Sequence, residues 1–127
     1  MEKKEVSLML DLLFNEFDIE PVPITIKNVK KTYGGVAIQI GLKVISTLKK
    51  LEDIILHEFA HTLDYRLTPN GVRIRGGKRS YHDEVFMDRL REVVIAWYGD
   101  ESKYQWSGEY KTIQKIYKER IWHTTIK

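Results

Sequence analysis

The chain has 127 residues, 43% of them hydrophobic and 31% charged, with a formal net charge of +3. That length and apolar share describe a single globular domain over 1–127 with a real core, and no apolar run is long enough to cross a bilayer. There is no cysteine, which excludes disulfides, a thiol nucleophile and any cysteine-based zinc finger or ribbon.

The start, Met1-Glu2-Lys3-Lys4-Glu5, is followed by no signal-peptide core, so a cytoplasmic, intracellular location is expected. Residues 3–18 place Val6, Met9, Leu10, Leu13 and Phe17 at helical spacing, which predicts an amphipathic helix ended by Pro21 and Pro23. Ile24-Thr25-Ile26 reads as a short strand. Tyr33-Gly34-Gly35 supplies a turn, Val36, Ile38 and Ile40 alternate as a second strand, and Gly41 breaks it. Ser46 or Thr47 is the N-cap expected for a helix running to about Leu67. Leu48, Leu51, Ile55, Phe59 and Leu63 form one apolar row on it, with Leu56, Ala60 and Leu67 beside that row.

Residues 68–79 are rich in turn formers and read as a loop. Ser80 and Asp83 make a capping arrangement for a helix to about Tyr98, closed by Gly99. Phe86, Leu90, Val93, Val94 and Trp97 give its apolar side. A last helix over about 109–121 presents Tyr110, Ile113, Tyr117 and Ile121.

Chemistry concentrates in His57-Glu58-Phe59-Ala60-His61, an H-E-x-x-H pentad inside the predicted central helix. Positions i and i+4 share one helical face, so both imidazoles reach a single ion. Glu58 is placed to take a proton from water activated by that ion. Two neutral nitrogens with open positions beside them are what one helix contributes to a catalytic zinc site. A third protein ligand is needed, and two residues offer it. His82 is one. Glu84, four residues before Asp88, is the other, in the E-x-x-x-D arrangement of gluzincin proteases. Imidazole and carboxylate are both good zinc ligands, so chemistry alone does not choose between them.

Residues from about 22 to 90 resemble the SprT-like metalloprotease domain, the family of Spartan. The resemblance rests on His57, Glu58 and His61, followed at similar spacing by His82 with Phe86 in H-x-x-x-F register. Where that family has Gly after the third His, this chain has Asp83. The resemblance implies an α+β, small zincin-like domain with an N-terminal helix, a short antiparallel sheet, the pentad helix and C-terminal helices. It also implies a Zn2+ cofactor, His82 as third ligand, and endopeptidase activity on DNA-associated proteins. Many relatives add a C-terminal zinc ribbon, which a chain without cysteine does not have.

In the implied reaction Glu58 is the general base, and the substrate lies extended along an edge strand, Val36 to Ile40. Tyr65 and Tyr81 are near the ligands in sequence, but core or surface places suit them better than an oxyanion role. Asp64 either orients a ligand imidazole or is a solvated or capping residue. Between Asp64 and Asp83 there is no acidic residue, and Arg66, Arg73, Arg75, Lys78 and Arg79 all fall there. That segment is a candidate contact for DNA phosphates or for an acidic protein substrate; as a solvated loop it needs neither. Lys27, Lys30 and Lys31 read as an ordinary turn, and His123 as surface or packing. Two rivals stand beside the SprT-like peptidase. One is a catalytically silent nucleic-acid or protein binding module. The other is a regulatory peptidase of gluzincin type with Glu84 as third ligand.

Overall fold

A computed structural model describes residues 3–43, 50–67, 74–75, 78–79 and 84–106. In chain order these form α1 (Lys3–Glu16), β1 (Ile24–Lys27), β2 (Ile38–Gly41), α2 (Leu51–Leu67), β3 (Ile74–Arg75), β4 (Lys78–Arg79), α3 (Glu84–Tyr98) and a 3-10 turn (Glu101–Lys103). The fold is α+β. The expected caps at Ser46, Thr47, Ser80 and Asp83, the last helix over 109–121 and His123 lie outside the described residues. No helix among the described residues is long and apolar enough to cross a membrane.

The apolar spacing of α1 works as read: Val6, Met9, Leu10 and Leu13 are buried, with Phe14 beside them. Its end does not wait for the prolines. Asp18 takes a left-handed conformation at φ 50. Its N–H donates to the Asn15 carbonyl, and the next N–H, of Ile19, donates to that of Phe14 at 3.2 Å. This pair of bonds is a Schellman closure, which satisfies carbonyls the helix leaves open. An aspartate fills the position where glycine is usual.

The sheet corrects the expected antiparallel arrangement: β1 and β2 pair in parallel, Ile24 opposite Ile38 and Ile26 opposite Ile40. The turn at Tyr33-Gly34-Gly35 does form, but it brings Tyr33 antiparallel to Gln39 rather than β1 against β2. The chain leaves β1, runs back through 31–33, turns at the glycines and enters β2 between the two. Tyr33 and Gln39 exchange both backbone bonds at 3.0 Å. The Gly41 N–H donates to Thr32 Oγ1 at 2.9 Å, so the return arm is tied along the far side of β2. Alternation identified the strands, but strand direction depends on how the ten intervening residues are spent. Within the expected loop 68–79, Ile74–Arg75 and Lys78–Arg79 pair antiparallel as β3 and β4, with Ile74 opposite Arg79.

Helix α2 is the centre of the molecule. Ile55, Leu56, Phe59, Ala60 and Leu63 are buried in one core with α1, β2 and α3. Phe59 receives Phe14 edge-on at 5.3 Å and Phe17 at 5.6 Å, which seats α1. Leu67, expected beside the apolar row, is instead exposed.

Helix α3 runs antiparallel to α2, and polar contacts lock the far end. Trp97 Nε1 donates to Glu52 Oε1 at 3.0 Å. The Tyr98 hydroxyl and the Gln105 N–H both donate to Asp53, which is fully buried. Gly99, at φ 80, closes α3 as expected. Arg91 Nε then donates to Glu101 Oε2 at 2.8 Å across the following turn.

Burial pushes the Tyr98 phenol well above its usual range, and the Asp53 and Glu52 carboxylates push it in the same direction. The folded state therefore keeps a proton that the unfolded chain releases near pH 10. This contribution to stability is complete below that pH and is lost as pH rises above it. The native chain is expected to lose stability more steeply above pH 10 than Tyr98→Phe, measured by urea unfolding across an alkaline pH series. Asp53→Ala strands the two donors and is expected to cost about 1–3 kcal/mol in the same assay at neutral pH.

Candidate metal centre

The pentad occupies the middle of α2, where the helix is packed against neighbours rather than water. His57 and Glu58 are buried at 8% and 9% exposure, and His61 is half-buried. At 3.6 residues per turn His57 and His61 stand about 40° apart in azimuth, while Glu58 is turned about 100° from His57. The ligand row and the carboxylate thus occupy adjacent faces of one helix.

The side chains converge accordingly. Nε2 of His57 and Nε2 of His61 are 3.1 Å apart. Glu58 Oε1 is 3.6 Å from His57 Nε2. One ligand atom from each of the three lies within 4.8 Å of the others. Two imidazole nitrogens facing at this distance share either a proton or a cation. Two Zn–N bonds of 2.0–2.1 Å at the tetrahedral angle put their nitrogens about 3.3 Å apart. The observed spacing is close to that without rearrangement, so this donor set fits a zinc ion.

Two neighbours hold the site. From α3, the fully buried Phe86 stacks on the His61 ring, with centroids 4.2 Å apart and planes at 22°. The same ring meets His57 edge-on at 5.3 Å. From the other side, the glycine turn closes on the Glu58 face. The Gly35 N–H donates to Thr62 Oγ1 at 3.0 Å, and Thr62 is one turn beyond Glu58. A Cβ on Gly34 would stand 2.1 Å from the Glu58 carbonyl oxygen. Only glycine lets the strand connection approach the helix this closely.

Among the other residues singled out by the sequence, Asp64 is buried on α2, which removes the solvated reading. Tyr65 is 38% exposed, a surface place. Arg66 is exposed as well. His82, Tyr81 and Arg73 lie outside the described residues, and for Glu84, Arg75, Lys78 and Arg79 the description stops at the backbone. The proposed substrate strand Val36 to Ile40 needs correction. At Gln39 both backbone groups are engaged by Tyr33, and β1 covers the opposite edge of β2. That strand has no free edge at its centre.

Sequence reasoning missed three contributors: the Gly34 approach, the Thr62 hydroxyl and the ring contacts of Phe86. In the sequence the glycine pair signals only a turn, and Phe86 is one apolar position among several on its helix. Only the placement of Phe86 in the same register as His82 hinted at more.

No protein-family model matches the chain, and neither a curated protein nor a solved structure matches it. The geometry of the site therefore carries its own interpretation.

The glycine contacts generate a paired prediction. Gly34→Ala must push the connection off α2 and is expected to cost about 1–3 kcal/mol, as overpacking does. Gly35→Ala meets no neighbouring atom but is strained at φ 144, so it is destabilising too. Gly34→Ala is expected to cost more stability than Gly35→Ala, because only its Cβ collides with the backbone of Glu58, while both keep the histidine pair and take up zinc. Thermal unfolding ranks the two, and zinc titration checks uptake in each.

Proposed function

We propose that the chain is a zinc-dependent metallopeptidase of SprT-like type, with His57 and His61 as ligands, His82 completing the set and Glu58 as general base. The observation that carries this reading is the convergence of two Nε2 atoms 3.1 Å apart with the Glu58 carboxylate beside them, inside a packed helix. Chance surface histidines do not meet on a packed helix with a buried carboxylate on the adjacent face and a fixed aromatic wall.

A zinc ion held there supplies Lewis acidity toward the scissile carbonyl and makes water acidic enough to deprotonate near neutral pH. Glu58 takes that water proton as the water oxygen bonds to the carbonyl carbon. It then delivers the proton to the amine as the C–N bond breaks. Partial burial keeps the Glu58 carboxylate beside the ligand nitrogens rather than swinging into solvent.

The third ligand enters from the start of α3. Phe86, two residues after Glu84 and four after His82, already touches both imidazoles. Helix α3 therefore begins near the site, which favours a third ligand at or shortly before its first residue, Glu84 or His82. His82 is preferred for its H-x-x-x-F register with Phe86. The substrate class follows from the same resemblance: proteins bound to DNA, with Arg66, Arg73, Arg75, Lys78 and Arg79 meeting phosphate. The acid-free run from 65 to 82, within which β3 and β4 pair, supports that partner.

Purified protein is expected to hold one zinc and to cleave a protein substrate, with single-stranded DNA raising the rate. Glu58→Gln is expected to retain zinc and lose activity by at least the ~100-fold typical of a general base. An active Glu58→Gln, or a protein that takes up no zinc, overturns the proposal. His82→Ala is expected to release zinc while Glu84→Ala keeps it; the reverse result assigns the gluzincin arrangement instead.

A further inference from the structure

We infer that Phe86 is a positioning residue for the metal centre: its ring fixes the planes of both ligand imidazoles so that their Nε2 lone pairs meet. This rests on the metal-site reading above and assigns to the α3 helix a part in it. The backbone of α2 brings the two Cβ atoms to one face but does not orient the rings. Each histidine retains staggered choices at χ1 and a broad, roughly two-fold χ2. A metal bond requires more than proximity, because the donating lone pair lies in the plane of the imidazole.

A flat neighbour is suited to settling this. Phe86 covers one face of His61 at 4.2 Å and 22°. Face coverage fixes the ring plane and leaves the in-plane direction open, which is where Nε2 points toward His57. The same phenyl meets His57 at 5.3 Å and 63°, so the two imidazoles are held at different tilts by one body. Their own planes cross at 73°. The two rings are thus tilted rather than stacked, and their Nε2 atoms meet at 3.1 Å.

The phenyl itself is rigidly held. Phe86 is fully buried, and Met87 and Leu90 pack the same side of α3 into the core. Helix α3 is in turn pinned to α2 at the far end by Trp97 on Glu52 and Tyr98 on Asp53. The clamp therefore comes from a different element than the two imidazoles it orients, which is how a supporting group orients donors without adding a bond to the ion.

The test compares Phe86→Leu with Leu90→Ala. The first removes the flat face; the second shortens a buried side chain one turn away on the same helix and leaves the flat face in place. Three quantities are measured on each: thermal stability without metal, Zn2+ affinity by competition with a chromophoric chelator, and the visible absorption of the Co2+ form. Both variants are expected to be less stable. Phe86→Leu alone is expected to lose zinc affinity by ten- to a hundredfold, the range seen when groups that orient ligands are removed. It is also expected to change the Co2+ spectrum, and Phe86→Tyr, which keeps the ring, is expected to restore both. Affinity and spectrum unchanged in Phe86→Leu overturn the inference. So does an equal loss of affinity in Leu90→Ala at matched stability. A native chain that takes up neither Zn2+ nor Co2+ overturns the underlying metal reading as well, so the two failures are distinguishable.

Discussion

The structure depends on burying a polar helix. Helix α2 is enclosed on nearly every side, yet it carries Asp53, His57, Glu58, Thr62 and Asp64 among its buried residues. Each such group gives up water, and that loss is tolerable only when the surrounding structure supplies a partner. Much of the architecture can be understood as meeting that demand. The 97–105 segment brings Tyr98 and the Gln105 N–H to Asp53. The glycine turn brings a backbone N–H to Thr62. The two histidines turn toward each other under an aromatic lid.

The same helix separates its tasks by azimuth. The Phe59 side receives α1 through Phe14 and Phe17 and contributes apolar stability. The His57 and His61 side meets Phe86 of α3. The Glu58 and Thr62 side meets Gly34 and Gly35. The proposed ligand pair and base, drawn from one helix, are thus backed by different elements. Displacing the strand connection disturbs the base side first, whereas loosening α3 disturbs the ligand side. Catalytic arrangements tolerate little misplacement, and a rigid, doubly supported helix is a physical answer to that requirement.

The sequence made some of this legible and hid the rest for identifiable reasons. Helical periodicity located α1, α2 and α3, because a one-sided apolar pattern is a local property. The pentad was legible for the same reason: i and i+4 on a helix need no knowledge of the rest of the chain. Strand direction was not, since Tyr33-Gly34-Gly35 signals a turn without saying which segments it joins. The close of α1 by Asp18 was hidden as well, because aspartate in a left-handed position is a minority choice that glycine statistics pass over. Asp53 carried no signal at all. An acidic residue in the first turn of a helix usually faces water and the helix dipole, and only the packing of residues 97–105 over it makes it a buried acceptor.

Strand topology also bears on where a peptide could lie in the proposed peptidase. Docking by strand addition needs a backbone edge with free donors and acceptors beside the base. At Ile38–Gly41 that edge is already used: β1 takes one side, while Tyr33 and Thr32 take the other at Gln39 and Gly41. Separating the Tyr33 bridge to admit a substrate would also pull on Gly34, which rests against the Glu58 carbonyl. Strand addition there would therefore disturb the residue meant to act on the substrate.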